Sequence, residues 1–247
     1  MDKRSKRAKR QEQHGGVIPV RVSFTPELLY SVRALLRLAL WDRSGKVQYS
    51  ATNHYTSHAP GTLVLAVTAL DCWMIEYVHT VFAFGREQQR FVFRPLIERF
   101  ELLHCELGNA PCPPELLSEL RMLIDVRDEI VHYLPRSFGD GRQIPSWLDP
   151  LEQRGLFIQG GPPVDFLLTQ KLASYALAYW ACEVARDIAG SLLPIVPRPH
   201  GSFDVTLGRQ FAAILQGIQP PAELHTFDAL RNVEVRLLKN AAPHEID

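Results

Sequence analysis

Residues 113–135, PPELLSELRMLIDVRDEIVHYLP, decide the fold of this chain. From Pro113 onward Leu116, Leu120, Leu123, Ile124, Val131 and Leu134 recur at helical spacing and form one stripe at about 100° per residue. The spacing predicts a helix over 113–134, stopped by Pro135, which disfavours α geometry at Leu134. Arg127 falls at the centre of that stripe, where an aliphatic residue is expected. A guanidinium keeps its proton, so at a core-facing position it requires a carboxylate, a phosphate or a wet cleft. His132 follows five residues later, roughly 140° round an ideal helix. One straight helix cannot aim both side chains at a point. Either its last turn distorts before Pro135, or two copies of the helix pool their residues.

The flanking segments are helical too. Pro26 opens a helix reading ELLYSVRALLRLALWDRSG, with Gly45 as its stop. Residues 46–60 are polar and turn-rich and read as a loop, whereas 61–84 is apolar almost all round, the mark of a central helix. A third helix is expected over 90–107 and a long one over 164–193, with Leu168, Leu172, Tyr175, Tyr179 and Cys182 along one face. Between them, 135–163 is Gly- and Pro-rich loop in which residues 155–159 could make a brief strand. Pro194 to Pro199 forms a stiff break, and 203–217 and 221–240 read as two shorter amphipathic helices. The expected fold is all-α: a bundle of four to five helices with a C-terminal helical appendage. Its divisions are a basic arm (1–23), a helical domain (24–193), and a Pro-rich linker with a C-terminal helical extension (194–247).

Bulk composition narrows the function classes. A chain of 247 residues with 46% hydrophobic and 22% charged residues can bury a real core, and its formal net charge of zero gives no global pull toward nucleic acid. The charge is unevenly placed, however. Lys3, Arg4, Lys6, Arg7, Lys9 and Arg10 form a basic run, ordinarily a solvated segment and, functionally, a phosphate-seeking arm for RNA. The four cysteines show no C-x-x-C spacing, and no apolar segment follows the basic start as in a secretory signal, so a reducing cytoplasm is expected. Leu63–Phe84 is the one candidate membrane span, but Asp71 and Glu76 near its middle favour a buried helix, with no membrane partner.

Asp71 repeats the anomaly of Arg127. Val64, Val67, Ile75, Val78 and Phe82 form a stripe with Asp71 at its centre, so the two opposite charges are expected to meet. That pair could simply fix helix register, or the acid could orient Arg127 toward a phosphate. Asp128 and His132, spaced i, i+4, can pair on one face.

Together Arg127, Asp128 and His132 resemble the R-x4–6-H motif of the HEPN superfamily. The preceding Ala66-Val-Thr-Ala-Leu70-Asp71 is similar to its A-x-x-x-L-[ED] helix, and the resemblance covers roughly 24–193. It implies a metal-independent endoribonuclease without cofactor, acting as a homodimer whose two motifs line one cleft, with Arg127, His132 and Asp128 catalytic and Asp71 and Tyr133 supporting. Members of this kind serve as toxins or antiviral-defence effectors, so an antitoxin or defence partner is expected at the C-terminal extension. Toxins paired with nucleotidyltransferases tend to carry H-x-Y; here Tyr133 follows His132 directly and position 134 is Leu, so that regulation is not carried over. The alternative from another class is a catalytically silent HEPN-like module that binds nucleotide or RNA, or docks a partner.

Other signals are weaker. Arg136 and Arg142 could extend a phosphate track, and Tyr49, Asn53, His54, Tyr55 and His58 could contact unpaired bases. His54 with His58, or His104 with Cys105 and Cys112, would each make an incomplete metal site, so none is expected. There is no Gly-rich phosphate loop, no G-x-S-x-G and no glycosidase-like carboxylate pair.

Overall fold

The computed structural model describes residues 23–41, 58–81, 86–108, 111–132, 145–157, 168–195 and 209–221. Among them the elements are helices, with no strand: α1 (Thr25–Trp41), α2 (Ala59–Val81), α3 (Arg86–Val92), α4 (Leu96–Gly108), α5 (Pro114–Val131), α6 (Asp149–Gln153), α7 (Leu168–Lys171) and α8 (Tyr175–Leu192), plus 3-10 turns at Ser146–Leu148 and Leu193–Ile195. The all-α expectation holds for these residues.

α2 is the central element, as its all-round apolarity implies. It packs against α1, α8 and α5, and α3 and α4 close over it. Leu63, Ala66, Val67, Leu70, Trp73, Met74, Tyr77 and Val78 are buried along it, and the Tyr77 hydroxyl donates to the Leu192 carbonyl at 3.1 Å. Ala59–His79 is long and apolar enough to cross a bilayer, yet this stretch is the helix on which the others pack. α8 is the second core helix. Thirteen of its eighteen residues are buried, which leaves it little polar face.

Two expected helices are broken. The 90–107 helix is two, because Pro95 cannot donate a backbone hydrogen bond and pushes Arg94 out of α geometry. α3 closes with a bond from Arg94 N–H to the Phe91 carbonyl, and α4 restarts with Arg99 N–H on the Pro95 carbonyl. The 164–193 helix is interrupted at Leu172–Ser174, where Ser174 is extended (φ −82, ψ 133). The loop expected over 135–163 contains the turn and short helix of Ser146–Gln153, and Gly155, at φ 68, ends them in the left-handed region. Residues 155–157 of the proposed strand form turn and bend rather than strand, and residues 158 and 159, most of the 46–60 loop and most of the 221–240 helix lie outside the described residues.

The C-terminal stretch 209–221 joins the bundle core. Phe211, Ile214, Leu215 and Ile218 are buried in the same apolar cluster as α2 and α8, and Phe211 meets the edge of Trp73 at 5.6 Å between ring centroids. Its carbonyls are taken up by the bundle: Arg33 donates to Ala213 and Gln216, and the Tyr175 hydroxyl donates to Gln219 at 2.5 Å. This part of the extension is spent on its own core.

Candidate functional site

α5 begins at Pro114, whose missing N–H costs nothing in the first turn. Its buried residues are Leu120, Leu123, Val126 and Glu129. Val126, fully buried, therefore holds the position expected for Arg127, and Val131 is 49% exposed rather than part of the stripe. Arg127 sits on the flank of the buried face with 35% of its side chain exposed. Its Nε lies 2.8 Å from Oδ1 of Asp128, but the carboxylate is off the N–H direction, so the contact is an ion pair without a hydrogen bond. The buried Nε–H thus has no acceptor.

Asp71 does not neutralise it. The Asp71 carboxylate pairs with Arg99 of α4 at 2.5 Å, correcting the expected Asp71–Arg127 pair. Asp71 itself is 43% exposed, at the edge of the buried face of α2 rather than its centre, while the Arg99 side chain is only 4% exposed. Arg99 spends its donors fully: Nε on the Phe91 carbonyl, Nη2 on the Val92 and Arg94 carbonyls, Nη1 on Asp71. It ties the end of α3 to α2 and holds the Pro95 break. Among the described residues the buried arginine is Arg99.

α5 ends at Val131, earlier than expected. His132 is its exposed C-cap (φ −110, ψ 26), and its backbone N–H bonds the Asp128 carbonyl at 2.8 Å. The bond from His132 N–H to the Asp128 carbonyl is an ordinary i→i−4 bond, so the ladder of α5 is regular to its end and the chain leaves α geometry at His132, ahead of Pro135. The i, i+4 pair expected between Asp128 and His132 is replaced, because the Asp128 carboxylate faces Arg127. Asp125, one turn back, has its carboxyl raised by partial burial and then by Asp128. Glu129 is buried two residues past Arg127. The site therefore combines a partly exposed guanidinium and an exposed imidazole at one helix end, bordered by carboxylates. Tyr133, Arg136, Arg142, His54 and the arm residues Lys3, Arg4, Lys6, Arg7, Lys9 and Arg10 lie outside the described residues.

Of the weaker candidates, His104 is taken up in the core. Nε2 of His104 lies 3.2 Å from Oγ of Ser191, whose hydroxyl donates to the Ile188 carbonyl. The ring must then donate from Nε2, which fixes a tautomer, and burial lowers its pKa. Phe100 meets that ring edge-on at 4.8 Å. Burial, with Glu101 and Cys105, pushes the Cys112 thiol up to about 11. Among the described residues no three His, Cys, Asp or Glu side chains gather as a metal-binding group.

A second polar cluster has little signal in the sequence. The Trp180 indole donates to Oε2 of Glu119 at 2.6 Å, and Arg154 bonds both Glu119 oxygens while lying 5.7 Å from the Trp180 ring centroid. Glu119 links α5 to α8 and to the turn after α6. All that announces it is a carboxylate on a helix that faces an aromatic-rich one.

No family model matches the chain, and neither curated proteins nor solved structures include one significantly similar to it.

Proposed function

We propose that this protein is a HEPN-type, metal-independent endoribonuclease of the cytoplasm, a toxin or antiviral-defence effector that acts as a homodimer. The reading rests on the resemblance of the Arg127–His132 segment. The observation that carries it is the helix end itself: His132 exposed at the C-cap, and Arg127 partly exposed with its Nε–H without a hydrogen-bond acceptor. RNA brings its own nucleophile, the 2′-OH, so cleavage needs proton transfer and a stabiliser for the crowded phosphorane. Imidazole suits proton transfer near neutral pH, and guanidinium grips phosphate oxygens in pairs. Asp128, against Arg127, positions that guanidinium, and the basic arm adds affinity without sequence preference. A second protomer supplies the complementary Arg and His to the same cleft.

One observation favours the silent RNA- or nucleotide-binding alternative: Asp128 faces Arg127, which leaves His132 without that carboxylate to orient it. RNA cleavage by the native protein beside His132→Ala decides between them. Cleavage abolished in the variant supports the nuclease; binding without cleavage by the native protein supports the alternative.

A further inference from the structure

Two Arg-Asp dipeptides stand on helices of this bundle, Arg127-Asp128 on α5 and Arg186-Asp187 on α8, and they differ in one respect. Each brings the arginine Nε to 2.8 Å from Oδ1 of the aspartate, with 35% of the arginine side chain and 48% of the aspartate exposed. On α8 the Nε–H donates to that oxygen. On α5 it does not, and the Arg127 Nε–H, shut away from solvent, has no acceptor. The Arg127–Asp128 contact is therefore charge attraction alone, weak at this exposure, with the stronger charge-assisted hydrogen bond left unmade. Asp128 also has a second basic group within reach. The His132 N–H bonds the Asp128 carbonyl at 2.8 Å, which places His132 one turn beyond Asp128, where side chains at i and i+4 are neighbours. Asp125, at i−3, closes the other direction. Its carboxyl is raised by partial burial and then by Asp128, so a carboxylate leaving Arg127 is repelled from that side.

We propose that Asp128 is an exchangeable cover for Arg127: a phosphate group displaces its carboxylate from the guanidinium, and the released carboxylate turns to accept a hydrogen bond from the His132 imidazole. Phosphate oxygens meet guanidinium donors in pairs, a bonded contact that the off-line carboxylate does not make. The negative charge of the phosphate then repels Asp128, and with Asp125 behind it the carboxylate moves toward His132. In the free chain neither basic group has its working partner, and the arriving phosphate supplies both at once. The inference rests on the reading of Arg127 and His132 as an RNA site and adds its regulation. Asp128 is a positioning residue, acting through His132 and only after phosphate has bound. That is why the free chain shows the Asp128 carboxylate on Arg127 rather than at i+4.

Three-bond NMR couplings between the backbone and Cγ of Asp128 report its χ1 rotamer, with inorganic phosphate as the probe. The native chain should change rotamer as phosphate saturates, and the Arg127 Nε–H resonance should move as it gains an acceptor. Arg127→Leu should show the phosphate-bound rotamer with no phosphate present, and adding His132→Ala should abolish that preference. Asp128→Asn should bind phosphate about 2- to 5-fold more tightly, because the competing carboxylate is gone. In RNA cleavage the same variant should lower KM and kcat together, whereas a purely structural Asp128 would weaken phosphate binding when lost. One unchanging rotamer in the native chain, or looser phosphate binding by Asp128→Asn, would overturn the proposal. The nuclease reading fails separately: rotamer exchange without RNA cleavage leaves the exchange standing in a phosphate-binding protein, and cleavage with a fixed Asp128 strikes only the exchange.

Discussion

Replacing Arg99 by Leu should be among the most damaging single changes in this protein, and replacing Arg127 by Leu among the mildest for an interior-facing arginine. Arg99 is 4% exposed and its guanidinium holds the carbonyls of Phe91, Val92 and Arg94 and the Asp71 carboxylate. Its loss strands one partly buried charge and several acceptors, a disruption of about 3–5 kcal/mol for a broken buried pair. Water can reach the Asp71 carboxylate, which draws the figure toward the lower end, while each stranded carbonyl adds back about 1 kcal/mol. Asp71→Ala keeps the carbonyl bonds of Arg99 and should cost about 1–3 kcal/mol. Arg127 has an off-line contact to Asp128 and a buried N–H with no acceptor, so its removal forfeits little, about 1 kcal/mol or less. Urea unfolding followed by far-UV circular dichroism measures all three. An Arg127→Leu chain as unstable as Arg99→Leu would refute the assignment of Arg99, rather than Arg127, as the structural arginine.

Further outcomes follow from the same structure. Glu119→Ala removes the acceptor of the Trp180 indole and the partner of Arg154; it should cost about 1–3 kcal/mol and shift Trp fluorescence, and an unchanged urea midpoint would count against the cluster. The folded pKa of His104 is lowered by burial, so below its ordinary value of 6.5 the unfolded chain binds a proton that the folded ring refuses. Stability should therefore fall as pH drops from 6.5 through the folded pKa, and His104→Gln should flatten that slope in urea midpoints taken across the range; an equal slope would exclude His104 as a source. Deleting residues 1–10 should weaken RNA binding and reduce its salt dependence, by roughly 0.7 in the log–log slope for each phosphate that the arm neutralises. An unchanged slope would leave the arm without a role in binding.

Much of the helical layout is legible in the sequence because apolar periodicity marks α1, α2, α5 and α8 directly. The departures have identifiable causes. Val126 and Arg127 are adjacent, and both fit a stripe through Leu120 and Leu123; only packing against α2 and α8 selects Val126. The rule that singles out Arg127 applies equally to Arg99, which stands in a stripe with Leu96, Phe100 and Leu103, and there it points to the right residue. Pro95 is a readable break. The interruption at Leu172–Ser174 is not, since no proline or glycine announces it. At the site, composition and spacing point to Arg127 and His132, whereas the turn of His132 out of the helix and the pairing of Asp128 are set by the local geometry of the last turn.

The measurement that bears most directly on the central claim is cleavage of cellular RNA in excess EDTA by native protein, Arg127→Ala and His132→Ala, with the product ends identified. Cleavage by the native chain should leave 2′,3′-cyclic phosphate ends. Both variants should stay folded and lose activity by about 10²–10³-fold. Full activity in His132→Ala, or cleavage abolished by chelation and restored by Mg²⁺ or Mn²⁺, would contradict it.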